Sequence, residues 1–124
     1  MKFLLAQINP VVGDLEGNAK KILYAASKAS SSSDDLVLTP ELSLWGYPAN
    51  DLLLKNNLIK NQYQILDQLA LVINQKYGNL SITVGIAEII NDSFFPNLYN
   101  CIALLERGEW KKLLVKLFFP PYSI

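Results

Sequence analysis

Two charged residues stand at the ends of short apolar runs. Glu41 follows Leu36-Val37-Leu38 across Thr39-Pro40, and Lys116 ends the run that begins at Trp110. In open α/β sheets, functional groups collect at the carboxyl ends of strands. A glutamate and a lysine converging at one sheet edge supply a base and an electrophile. Asn9 and Asp14 follow a first apolar run in the same way. The chain has no histidine and a single cysteine, Cys101. That excludes His-based catalysis, His metal sites, an intramolecular disulfide and a cysteine-cluster zinc site. Proton transfer falls to Glu, Asp, Lys or Tyr. Each candidate also has a plain structural role. Glu41 after a proline is an ordinary first-turn acid. Lys116 is one of three lysines in Lys111-Lys112-Leu113-Leu114-Val115-Lys116 and suits a solvated edge strand. Cys101 lies inside an apolar run and suits a core. Tyr47, Tyr122, Trp45 and Trp110 suit core or rim positions. The residues alone imply a soluble α/β domain with a candidate acid site.

The elements that must position these groups follow from the hydropathy pattern. Residues 3–8 form a buried strand closed by Asn9-Pro10. Residues 19–29 place Ile22, Leu23, Ala25, Ala26 and Ala29 at helical spacing. Residues 36–38 form a second buried strand, which Pro40 stops because proline cannot donate to a ladder. Residues 41–50 read as a turn-rich loop and 51–54 as a short helical turn. Residues 57–76 form the longest helix, with Leu58, Ile59, Gln62, Ile65, Leu66, Leu69, Val72 and Ile73 on one stripe. Residues 81–88, 98–105 and 110–116 read as strands, with Asn91-Asp92 and Arg107-Gly108-Glu109 as turns. The order is α/β, ending in an antiparallel meander.

Composition bounds the function. The 124 residues fit one domain, and 51% apolar with 18% charged excludes a disordered chain. It favours elements covered on both faces. Eleven basic residues balance eleven acidic ones, which argues against a nucleic-acid partner. No stretch reaches the roughly 18 apolar residues of a membrane helix. Gln7, Asn9 and Pro10 interrupt the N-terminal run before a signal-peptide core forms. The expectation is a cytoplasmic protein without a membrane partner, metal or cofactor.

Two segments together are distinctive. Ala6-Gln7-Ile8-Asn9 with Val12-Gly13-Asp14-Leu15-Glu16-Gly17-Asn18 resembles the opening of the carbon–nitrogen hydrolase (nitrilase) superfamily. Residues 36–48, a buried strand running into Pro40-Glu41, resemble its first catalytic motif. Tyr47-Pro48-Ala49-Asn50-Asp51-Leu52-Leu53 is similar to one branch, the glutaminase domain of glutamine-dependent NAD synthetases. Residues 97–105, then Gly108-Glu109-Trp110 and Lys116, resemble the family's strand pair leading to its catalytic lysine. Phe119-Pro120-Pro121-Tyr122 resembles the segment after that lysine.

The resemblance implies the N-terminal portion of a nitrilase-like α-β-β-α sandwich. It implies that Glu41 is the general base activating a cysteine thiol, and that Lys116 stabilises charge on the tetrahedral intermediate. Tyr47 and Tyr122 match positions lining the glutamine pocket. The family's nucleophilic cysteine lies downstream of the lysine, so residues 1–124 read as a partial domain ending before it. Cys101, upstream and inside a strand, is not its equivalent. The implied function is that of a fragment of a glutamine amidohydrolase, which supplies ammonia for making NAD from deamido-NAD and is inactive alone. The alternatives are a non-enzymatic interaction or assembly module and a different amidase of the superfamily. Self-association is expected, through apolar strand faces around residues 3–8, 36–38 and 82–86.

Overall fold

Apolar runs bounded by polar turns become strands, and the longer amphipathic stretches become helices. The computed structural model describes residues 1–46, 56–90 and 97–117. The order is β1 (Phe3–Leu5), α1 (Leu15–Ser31), β2 (Leu36–Leu38), α2 (Asn56–Tyr77), β3 (Ser81–Ile90), β4 (Asn97–Glu106) and β5 (Glu109–Leu117). One five-stranded sheet runs β1-β2-β3-β4-β5. The first three strands are parallel, and β4 and β5 add antiparallel. This is the expected α/β order closed by a meander. The expected turn at 51–54 lies outside the described residues. No helix among the described residues is long and apolar enough to cross a membrane.

Boundaries shift for physical reasons. β1 is shorter than the run 3–8 because its partner β2 offers only three residues before Thr39-Pro40; Ala6 N–H still reaches the Leu38 carbonyl at 2.9 Å. α1 starts earlier than expected, because the Asp14 carboxylate accepts the Gly17 N–H at 3.0 Å and caps the helix. β4 and β5 meet in a tight turn whose Arg107 and Gly108 have φ of 55° and 80°, the backbone sign of a two-residue hairpin.

Both helices pack on one face of the sheet. Ile82, Val84 and Ile86 of β3, and Cys101, Ala103 and Leu105 of β4, are fully buried with Ile22, Ala26, Leu66 and Ile73 of the helices. The expectation of an uncovered face at 82–86 is therefore corrected: those apolar side chains lie under the chain's own helices. On the opposite face the turn after β2 covers β3 at Gly85, while among the described residues the β1 end stands in solvent. On this face the register aligns Leu5, Leu38, Thr83 and Leu104 across four strands. Phe3 and Leu5 are 55% and 66% exposed.

A bulge in β5 decides which lysine serves which face. Ala103 pairs with Lys112 and Ile102 with Leu114, leaving Leu113 as the extra residue. Without it, positions 112, 114 and 116 would share one face. With it, Lys112 pairs toward the helices and position 116 moves to the other face, opposite Asn100.

Candidate functional site

The turn after β2 is built as a plug. Leu42, Leu44 and Trp45 are fully buried, while Pro40 and Glu41 stay exposed. Burying each large apolar side chain contributes roughly 1.5–3 kcal/mol, so the turn is anchored by its own hydrophobes. Its backbone closes on itself through Ser43 N–H to Pro40 O and Gly46 N–H to Leu42 O.

β3 extends beyond the short β2, and the turn satisfies the edge this leaves. Leu44 N–H donates to Gly85 O at 3.1 Å, and Gly85 N–H donates to Ser43 Oγ at 2.9 Å. Thr39 Oγ1 donates to Thr83 O at 2.6 Å. Its proton is thus committed, so Ser43 Oγ, 2.7 Å away, donates to Thr39 Oγ1. Further along, the buried Gln62 side chain acts as a strand partner. Its Nε2 donates to Ala87 O at 2.8 Å, and its Oε1 accepts Ala87 N–H at 3.0 Å and the Trp45 indole N–H. Gln62, read in the sequence as part of an apolar stripe, therefore ties α2 to both the strand and the turn.

Glu41 lies at a cleft of about 150 Å³ lined also by Thr39, Pro40, Thr83, Gly85, Asn100 and Ile102. Asn100 is 7% exposed and is the register partner of Lys116. Backbone geometry therefore places position 116 across the sheet face that carries this cleft. Tyr47 and Tyr122, the other two expected site residues, lie outside the described residues. Sequence reasoning missed Thr39, Ser43, Gly85 and Asn100. Only the Thr39-Pro40-Glu41-Leu42-Ser43 run hinted at the first two, since hydroxyls beside a strand end commonly close turns. A larger groove of about 590 Å³ runs along the β1 edge between residues 4–9 and Lys20, Lys21 and Lys28 of α1. Its lining carries lysines and Tyr24 but no carboxylate or thiol.

A second glutamate–lysine pair occupies the helix face. Lys112 Nζ is 3.2 Å from Glu88 Oε1, and the Tyr63 hydroxyl donates to Glu88 Oε2 at 2.6 Å. Tyr63 stacks on Trp110, whose indole donates to Asp67. Burial, then the hydrogen bond to Glu88 and its charge, push the Tyr63 hydroxyl well above its ordinary range. This network clamps α2 to β3 and β5. Cys101 is fully buried on the same face, opposite Ile86. Burial pushes its thiol up, Glu88 adds to this and Lys112 opposes it. A thiol held protonated, across the sheet from Glu41, has neither the ionisation nor the position of a nucleophile. Cys101→Ala is expected to lower stability by on the order of 1 kcal/mol through lost packing, read from the urea midpoint. Among the described residues no group of three His, Cys, Asp or Glu could hold a metal.

No protein-family model matches the chain. The glutamine-dependent NAD(+) synthetase of Thermotoga maritima is 35% identical over 124 residues, covering 100% of this chain and 20% of its own length. A crystal structure of a glutamine-dependent NAD(+) synthetase from Cytophaga hutchinsonii superposes with a TM-score of 0.81 at 25% identity, over 97% of this chain and 19% of that one. An amidase from Nesterenkonia sp. superposes with a TM-score of 0.69 at 21% identity, over 97% and 44%, a likeness of fold. The chain spans about a fifth of the length of the curated relatives it matches. In sequence and in fold, the chain is homologous to the N-terminal part of glutamine-dependent NAD(+) synthetases, and its sheet and helices are those of the nitrilase fold.

Proposed function

We propose that this chain supplies the glutamate and lysine of an amide-hydrolysing site that acts on glutamine. The parent activity releases ammonia for NAD synthesis in the cytoplasm. Glu41 takes the proton of a cysteine thiol, and Lys116 stabilises the oxyanion of the tetrahedral intermediate. Tyr47 and Tyr122 line the glutamine pocket. The one cysteine of these 124 residues, Cys101, is buried on the other sheet face and does not serve as the nucleophile, so the 124 residues alone are inactive. The observation that supports this reading is the β5 bulge, which sets position 116 on the sheet face that carries the Glu41 cleft, while Lys112 pairs with Glu88 on the other face.

The test has two parts. The isolated chain, incubated with glutamine, is expected to release no ammonia. The T. maritima synthetase with its aligned segment replaced by this chain is expected to release it. Robust hydrolysis by the isolated chain, sensitive to Cys101→Ala, would overturn the assignment. So would a folded graft in which Lys116→Met leaves kcat intact.

The exposed β1 end of this sheet face supports a second statement, about assembly. Phe3 and Leu5 stand largely in solvent, with Leu36 and Leu38 half-buried beside them. Among the described residues β1 is also an edge strand. An apolar face next to an unpaired edge promotes association. Sedimentation at several concentrations is expected to show oligomers, and Leu5→Lys to shift them toward monomer. A sharp monomer at high concentration with cooperative unfolding would show that the chain closes its own core.

A further inference from the structure

The segment from Val12 to Asn18, distinctive in sequence, has no part in the chemistry above. Its last residue shows what it does. Asn18 is fully buried in the first turns of α1. Its Nδ2 donates to Val11 O and to Leu44 O, both at 2.9 Å, and its Oδ1 accepts Val11 N–H at 2.8 Å. Both amide protons and the carbonyl oxygen are therefore engaged. Leu44 belongs to the turn that carries Glu41. A second strap runs beside the first: Gly13 N–H donates to Trp45 O at 2.9 Å. The two loops touch so closely that a Cβ at Gly46, which has φ of 81°, would lie 2.8 Å from Val12 Cα.

We propose that Asn18 is a positioning residue for Glu41. The turn is gripped from two sides. β3 holds it at Ser43 and Leu44 through Gly85, and α1 holds it at Leu44 through Asn18. Both grips meet at Leu44, three residues from Glu41, so neither needs to touch the carboxylate to fix its height above the cleft. The side chain required is an uncharged one with two donors and one acceptor at the reach of asparagine. Aspartate keeps the acceptor for Val11 N–H but turns a charged oxygen toward two carbonyls. Alanine leaves the buried Leu44 carbonyl without its donor, and a buried polar group left unpaired seeks water, moving the turn.

The inference rests on Glu41 being the base, and the test separates the two. In the full 124-residue chain, Asn18→Ala is expected to raise amide exchange at Gly13, Trp45 and Gly46 by tenfold or more relative to Leu66 and Ile73 of α2. A purely stabilising role would raise all of these together, and that result overturns the proposal. In the grafted synthetase, Asn18→Asp and Asn18→Ala are expected to lower kcat tenfold or more while KM for glutamine stays within twofold. Either variant folded with unchanged kcat also overturns it. If Glu41→Gln lowers kcat in the same enzyme and the Asn18 variants do not, this proposal alone fails. If Glu41→Gln leaves kcat unchanged, the reading of Glu41 fails, and the exchange pattern still reports whether Asn18 holds the turn.

Discussion

Glu41→Gln in the grafted synthetase is expected to lower kcat for ammonia release by about 10²–10⁴-fold, the usual worth of a positioned general base. Glutamine keeps the size of the side chain and its place on the turn but cannot take a proton. Glu41 is exposed, and exposed substitutions away from special features change stability by about ±0.5 kcal/mol. The melting midpoint should therefore hold while the rate falls, which separates lost chemistry from lost fold. The other glutamate provides the control. Glu88→Gln weakens the Lys112 pair and the Tyr63 hydrogen bond. Lys112 is partly exposed, so the loss is on the order of 1 kcal/mol. It lies across the sheet from the cleft, and kcat per folded molecule should be unchanged. The opposite pattern, with Glu88→Gln inactive and Glu41→Gln active, would move the site to the helix face.

The two faces also show where sequence reasoning reached and where it stopped. Runs such as Leu36-Val37-Leu38 before Pro40, and the stripe from Leu58 to Ile73, carry their own period, so element order and the end-of-strand place of Glu41 were legible. Lys116 was legible as the lysine that ends the run from Trp110. Its face depends on one extra residue, Leu113, and a bulge of this kind arises from pairing with β4, not from local preference. Ser43 and Gln62 were illegible for a related reason. Their partners are backbone groups of β3 left open because β2 is three residues long, and a strand's missing neighbour is a tertiary fact. Asn18 sat in view inside a quoted motif, but nothing in the motif says that its amide reaches a carbonyl 26 residues later.

Gly85→Ala should do the most damage for the least added mass. A Cβ there would lie 2.3 Å from Leu42 N, 2.5 Å from Pro40 O and 2.7 Å from Ser43 N. All three are backbone atoms of the turn that carries Glu41, so no side chain can swing aside. The turn must retreat by about 1 Å to reach ordinary contact, pulling on the Leu44 to Gly85 and Gly85 to Ser43 hydrogen bonds. Overpacking of this kind typically costs about 1–3 kcal/mol. A misplacement of about 1 Å at a reacting group can cost on the order of 10²-fold in rate. Both losses are expected together, as a lower urea midpoint for the chain and a lower kcat for the grafted enzyme. Gly78→Ala is the matched comparison. Its nearest new contact, Asn74 O, is 3.5 Å away, an ordinary distance. It should leave both quantities unchanged, or raise stability slightly by restricting the unfolded chain. If Gly85→Ala behaves like Gly78→Ala, the turn is not seated on β3, and the cleft beside Glu41 is too loosely held to do chemistry.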